Sequence, residues 1–343
     1  MNTTKLTILI ALLSAACAAA PGLFAQPGCK LEPDMTVMLY PQGQEAGKGL
    51  PEAGGPGASN GITQEETIDK YGSIGYISDN ARFDLYFPEK PNGQMVIVCP
   101  GGGYAFVSSY NEGIYVADWM TRRGVTVAVV KYRLPNGHWT VPLTDVQNTF
   151  RYCRAHAQEW GIKQIGVMGF SAGGHLAASA TTLYTDSATR PDFSILIYPV
   201  ISMDWAITHA GTRTNLIGQD SFWTSRKGKD FTQWKKDTEE LERLADIYSL
   251  QNDVTDDTPA VFLAHSSDDT TVPVENSLQF YQALVRAGVP AEMHIFPTGG
   301  HGWGFSKVEY TGHDNIGYAR SEFEASLARW MDAQLENAGS RQQ

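Results

Sequence analysis

Ser171 stands in Gly169-Phe170-Ser171-Ala172-Gly173, a G-x-S-x-G pattern. Five residues of this kind recur by chance, so their setting decides what they mean. An apolar run, residues 165–168, leads directly into the motif. A stretch of small residues with helical character, 175–183, leads directly out. A serine on a tight strand-to-helix turn has its hydroxyl lifted above the sheet and held there by backbone strain. Its glycine neighbours keep the turn slim. The helix behind aims its first amides at the same point, which favours negative charge developing there. The setting predicts Ser171 as a nucleophile and the amide of Ala172 as one oxyanion donor.

A serine hydroxyl needs a general base, and the base needs a partner that fixes its orientation. On a strand-turn-helix nucleophile the expected chain order is Ser, then a carboxylate, then His. His265-Ser266-Ser267-Asp268-Asp269-Thr270-Thr271-Val272-Pro273 offers two carboxylates just after the apolar run 260–264. Gly299-Gly300-His301-Gly302-Trp303 follows the run 291–296. Open parallel sheets place their sites at such strand ends. His301 is the expected base. Asp269 is the preferred partner, with Asp268 as the alternative.

Pro100-Gly101-Gly102-Gly103-Tyr104 follows the apolar run 95–99. Glycines let backbone amides approach a substrate closely, so Gly102 and Gly103 are the expected remaining oxyanion donors. A phosphate-binding loop would need Lys and Ser/Thr opening a helix. Tyr104-Ala105-Phe106 does not supply them. Tyr104 and Trp303 flank the predicted site and are the candidate substrate-binding aromatics. His175 reads as packing beneath the turn and His294 as part of a strand. His209, His265 and His313 read as loop residues with no second signal. No H-E-x-x-H, C-x-x-C or calcium-loop pattern occurs, so no metal and no cofactor is expected.

Apolar runs alternate with amphipathic stretches from about residue 81 onward. Strand patterns fall at 82–87, 95–99, 125–130, 165–168, 194–200, 260–264 and 291–296, and helical spacing at 112–122, 145–160, 175–183 and 319–335. This implies an α/β fold with a mostly parallel central sheet and helices on both faces. The strand-like segment 35–40 is a candidate further member of that sheet. Residues 202–257 break the rhythm as an insert after the sixth core strand. It carries Trp205, Trp223, Trp234 and a charged helical stretch at 235–243, and reads equally as a lid or as a packed subdomain.

Lys5 followed by the uncharged run 6–20 and small residues reads as a secretory signal peptide over 1–25, which implies a secreted or periplasmic protein. The run is short for a bilayer span of ~20 residues. Lipoprotein anchoring through Cys17 is the weaker alternative, because Ser14 stands where a lipobox has Leu. Residues 26–66, rich in Gly and Pro, form an arm or linker. Residues 67–336 make the catalytic domain and 337–343 a tail. Cleavage would leave Cys29, Cys99 and Cys153, an odd number that excludes full internal pairing. The net charge of −11 excludes nucleic acid as an expected partner, and no membrane insertion is expected. Nothing in the composition sets the oligomeric state.

With these residues placed, the chain resembles the secreted microbial α/β-hydrolases identified as acetyl xylan esterases or carbohydrate esterases. The resemblance rests on Cys99-Pro100-Gly101-Gly102-Gly103-Tyr104, Lys131-Tyr132-Arg133-Leu134-Pro135 and Gly169-Phe170-Ser171-Ala172-Gly173-Gly174-His175-Leu176. It continues in Asp268-Asp269-Thr270-Thr271-Val272-Pro273 with Glu275-Asn276-Ser277, and in Gly299-Gly300-His301-Gly302. It covers roughly residues 80–335. It implies the α/β-hydrolase fold and places the catalytic carboxylate four residues before Pro273, at Asp269. It further implies hydrolysis of short acyl esters, typically acetyl groups on plant-cell-wall polysaccharides. An acetylated polysaccharide or oligosaccharide is then the expected substrate. A broad short-chain carboxylesterase or lipase, or a serine peptidase-like hydrolase, is the alternative on the same fold.

Overall fold

The computed structural model describes residues 31–40, 65–77, 81–218 and 231–340. The leader 1–25, Cys17, Cys29, much of the arm, Trp223 and the last residues of the tail lie outside the described residues. The strands are β1 (Met35–Met38), β2 (Thr67–Ile68), β3 (Ser73–Gly75), β4 (Arg82–Tyr86), β5 (Gln94–Cys99), β6 (Phe106–Ser108), β7 (Thr126–Lys131), β8 (Gln164–Phe170), β9 (Phe193–Ile197), β10 (Ala260–Ser266) and β11 (Ala291–Phe296). The helices are α1 (Tyr115–Thr121), α2 (Val141–His156), α3 (Ser171–Thr182), α4 (Ala210–Ile217), α5 (Phe231–Ile247), α6 (Glu275–Arg286), α7 (Val308–Thr311) and α8 (Arg320–Ser340).

Eight strands form one sheet in the order β1-β4-β7-β5-β8-β9-β10-β11. Within it β4 runs against both its neighbours, and every pairing from β7 to β11 is parallel. The expected mostly parallel sheet is therefore present, and segment 35–40 does join it, as edge strand β1. A second sheet, β2-β3-β6, was not legible in the sequence because its strands are only two or three residues long.

A strand buried on both sides must be apolar on both faces. In β5, Met95, Ile97 and Cys99 belong to one core while Val96 and Val98 belong to the other. The first core takes Phe150 of α2, Leu176 of α3, Leu241 of α5 and Phe280 of α6. The second takes Trp119 of α1 and Phe323 and Trp330 of α8. Each such side chain contributes roughly 1.5–3 kcal/mol by leaving water. Cys99 and Cys153 are free and fully buried, and burial pushes both thiols well above their ordinary range.

The Lys131–Pro135 segment follows β7 and reaches two distant places. Tyr132 donates its hydroxyl to the carbonyl of Pro100, beneath the glycine loop, at 2.7 Å. Arg133 pairs with the fully buried Asp145 of α2 at 2.7 Å, and Tyr40 donates to the same carboxylate at 2.6 Å. That ion pair fastens the chain just after β1 to the sheet. Removing one member would strand the other charge in the core. Among the described residues no helix is long and apolar enough to cross a membrane.

Candidate active site

The turn between β8 and α3 carries Ser171 at φ 53°, in the left-handed region that only a constrained side chain adopts. Its tightness needs the flanking glycine. A Cβ on Gly173 would lie 2.1 Å from the carbonyl oxygen of Cys99 at the end of β5. Ala172 follows at the start of α3, where a helix leaves its amides without intrahelical acceptors.

His301 lies in the loop after β11. Its Nε2 is 2.8 Å from Ser171 Oγ, and its Nδ1 is 2.6 Å from Asp269 Oδ2. A carboxylate only accepts, so Nδ1 carries the proton and Nε2 is left to receive the serine hydroxyl's. The three groups thus form one unbroken relay, in the order the sequence suggested. Burial works against charge on Asp269. Hydrogen bonds from His265, His301 and the Val272 amide, with the charge of His301, outweigh it and hold the carboxyl well below its usual range.

Asp268 faces the other way. It is exposed and accepts the amides of Gly299 at 3.3 Å and Gly300 at 2.8 Å. The adjacent carboxylates therefore have separate places, one on the imidazole and one on the loop backbone that carries it.

Gly102 and Gly103 lie on the loop after β5, with φ values of 130° and 63°. A Cβ at Gly102 would meet the Phe106 carbonyl oxygen at 2.1 Å, so only glycine fits. The carbonyl of Gly102 accepts the amides of Ala105 and Phe106, which closes the loop on itself. The carbonyl of Gly103 accepts from Asn215 of α4 at 2.8 Å. The start of the insert therefore braces this loop. His209, just ahead of α4, lies beside it too: a Cβ at Gly103 would sit 3.5 Å from the His209 ring. Its Nδ1 accepts from the Thr212 amide and caps α4. Burial, then the charge of His301, lowers its pKa. The later part of the insert does something different, since Leu241 and Leu244 of α5 are buried in the core.

Both aromatic substrate-binding candidates need correction. Tyr104 is 2% exposed and Trp303 1%, so neither ring has a face open to a ligand. The Tyr104 hydroxyl meets His175 Nδ1 at 3.0 Å, and Trp303 Nε1 donates to Ser266 Oγ at 3.1 Å. Each aromatic found an internal hydrogen-bond partner, which makes full burial affordable for a polar ring. The partly exposed ring near the glycine loop is instead Phe106, which packs on Gly102.

His175 is the packing residue expected. It is fully buried between Tyr104 and the Tyr248 carbonyl, and burial pushes its pKa down to about 4. His265 is a strand residue and not the loop residue expected. It is fully buried in β10, its Nδ1 meeting Ser277 Oγ at 2.8 Å. Its Nε2 faces two acceptors, the Val272 carbonyl at 3.0 Å and Asp269 Oδ2 at 3.4 Å, so it carries the proton and supports Asp269 from behind. The i, i+4 spacing of His265 and Asp269 was the available signal. Among the described residues no cluster of His, Cys, Asp or Glu could hold a metal.

A relay of this kind is what acyl-transfer chemistry uses, and a family model described as BD-FAE matches residues 83–284, more than half of the chain. The chain belongs to the BD-FAE family. An acetylxylan esterase of Xylanibacter ruminicola is 38% identical over 246 residues, covering 70% of this chain and 47% of that protein. Endo-1,4-beta-xylanase B of Butyrivibrio fibrisolvens is 30% identical over 265 residues, covering 73% and 38%. This BD-FAE chain thus spans less than half the length of either relative. The solved acetyl ester-xyloside bifunctional hydrolase from Caldicellulosiruptor lactoaceticus superimposes with a TM-score of 0.61 at 27% identity, covering 90% of this chain and 97% of that one. MGS-M1, an α/β-hydrolase enzyme from a deep-sea metagenome library, matches with a TM-score of 0.54 at 25% identity, covering 79% and 97%. The BD-FAE chain has the α/β-hydrolase fold.

Proposed function

We propose that this chain is a serine carboxylic ester hydrolase that removes acetyl groups from carbohydrate, with acetylated xylan as its substrate. The observation that carries the chemistry is the continuous contact Asp269–His301–Ser171, at 2.6 and 2.8 Å. The substrate class rests on likeness to the acetylxylan esterase and to the acetyl ester-xyloside hydrolase.

In this reading His301 takes the proton of Ser171 as its oxygen attacks the ester carbonyl. The oxyanion rests on amides of Gly102 or Gly103 and Ala172. The sugar hydroxyl leaves with the proton from His301, and Ser171 holds the acetyl group. Water, deprotonated by the same imidazole, then attacks the acyl carbonyl and releases acetate. Asp269 holds the tautomer and steadies the imidazolium throughout. Phe106, beside Gly102, and His209, beside Gly103, are the candidate contacts for the sugar. We read residues 1–25 as an export signal, which N-terminal sequencing of the exported protein would test.

The deciding experiment is acetate release from acetylated xylan by the wild type and Ser171→Ala side by side. The wild type should release acetate and Ser171→Ala should lose at least about 10³-fold in rate. Comparable release by both would remove Ser171 from the mechanism. No release by either, with p-nitrophenyl acetate still cleaved by the wild type, would keep the relay and discard xylan.

A further inference from the structure

The chain enters α1 through a π-helical turn, Tyr110–Ile114, where the sequence suggested only the start of an α-helix. Such turns are rare and concentrate at functional sites. Two consecutive residues of this one hold the two loops on which the proposed chemistry depends.

Asn111 takes the histidine loop. Its Nδ2 donates to the Gly302 carbonyl at 2.7 Å, its Oδ1 accepts from Ser306 Oγ at 2.5 Å, and its carbonyl accepts the Phe305 amide at 3.3 Å. Glu112 takes the glycine loop. Its Oε2 accepts the Gly101 amide at 2.7 Å, one residue before the expected oxyanion donors. Its Oε1 accepts the Tyr198 hydroxyl at 2.9 Å. That same hydroxyl accepts the Gly304 amide at 2.8 Å, and the Tyr198 ring lies 4.9 Å from the His301 ring. Tyr198 is fully buried, with a backbone φ of 38°. A non-glycine residue in that region is held by its surroundings.

We infer that Glu112 is a positioning residue for the proposed hydrolysis: its buried carboxylate sets the glycine loop and, through Tyr198, the His301 imidazole in one frame. The inference rests on the esterase reading above. Both partners of the carboxylate are donors, an amide N–H and a phenol O–H whose oxygen is already engaged by Gly304. Only a group with two acceptor oxygens satisfies both. A glutamine would turn an NH₂ toward one of them and leave that buried donor unmatched.

The charge matters as well. When Ser171 attacks, His301 becomes an imidazolium, and a second carboxylate behind Tyr198 favours that cation in a site of low dielectric. The ionisable groups around Glu112 are Tyr198 at the end of β9, Tyr132 after β7 and His301 after β11. Arg320 of α8 acts on Tyr198 from beyond. Burial raises the Glu112 pKa, while the Gly101 amide, the Tyr198 hydroxyl and the charge of His301 oppose that rise.

The test is hydrolysis of p-nitrophenyl acetate by the wild type, Glu112→Gln and Glu112→Asp, with kcat, KM, a pH profile and a thermal melt for each. Glu112→Gln should lower kcat on the order of 10–100-fold with KM within about twofold. Its acid limb should move to lower pH, because the negative charge that favours the imidazolium is gone. Glu112→Asp, which keeps the charge, should keep the wild-type acid limb and recover part of kcat. A folded Glu112→Gln with wild-type kcat would overturn the inference. So would a loss of activity that only tracks the melt, with the acid limb unmoved. If Glu112→Gln does not fold, Tyr198→Phe decides: it keeps the ring on His301, and an unchanged kcat there overturns the link. A wild type inert toward p-nitrophenyl acetate would sink the esterase reading itself, a different result from an indifferent Glu112.

Discussion

Two carboxylates lie behind the same imidazole, in two regions built on different plans. Asp269 sits in the turn after β10, where the backbone curls around it. Thr271 and Val272 each give an amide to Oδ1 at 2.9 Å, while His301 and His265 approach Oδ2. Glu112 sits in the π-helical turn before α1 and has two donors, Gly101 and Tyr198. Both side chains are removed from water, yet their pKa values move in opposite directions. The deeper burial of Glu112 and the smaller number of its donors both contribute. Four groups aimed at one carboxylate outweigh the cost of burial, and two do not. Asp269 is thereby kept as a reliable anion directly on the imidazole. Glu112 acts from further off, through a phenol.

The sharpest way to break this contrast is Asp269→Asn. The amide would present an N–H to the His301 Nδ1–H, the tautomer would flip, and Nε2 could no longer receive the serine proton. We expect kcat to fall about 10³–10⁴-fold in a folded protein, read by p-nitrophenyl acetate turnover and near-ultraviolet circular dichroism. Turnover within tenfold of wild type would mean Asp269 is not the orienting acid.

His265→Phe removes one of the four supports while keeping a ring of similar size. It leaves Ser277 and the Val272 carbonyl without a buried partner. Urea unfolding should show a loss of about 1–3 kcal/mol, and kcat should drop by around tenfold through Asp269. An unchanged kcat in the destabilised protein would restrict His265 to holding the fold.

The smallest effect belongs to the neighbour. Asp268→Asn keeps an acceptor oxygen for the closer Gly300 amide and gives up only the longer contact to Gly299, and because Asp268 is exposed water can take that amide. Its kcat/KM should stay within about threefold of wild type. If Asp268→Asn instead lost as much as Asp269→Asn, the two roles would have to be exchanged.

Legibility followed the range of the interaction. The strand-to-helix turn around Ser171 is written in five contiguous residues, because its tightness is a local demand for glycine. Ser, Asp and His each follow an apolar run, so their common level at one edge of the sheet was legible as well. The sequence alone therefore determined the fold class and named Ser171 and His301, the residues proposed here as nucleophile and base, in their chain order. It preferred Asp269 over its neighbour Asp268, which offers the same chemistry. What separated them was the direction in which the turn points each carboxylate.

Tertiary structure alone decided the rest. Tyr104 and Trp303 looked available because they flank the site, but inward partners 71 and 37 residues away took their polar atoms. Glu112 gave no signal because its partner Tyr198 is 86 residues distant and its backbone turn is π-helical rather than α-helical. Pattern and spacing report what a chain asks of its own neighbours. Burial and pairing depend on which distant segments arrive beside it, and only the assembled sheet brings those together.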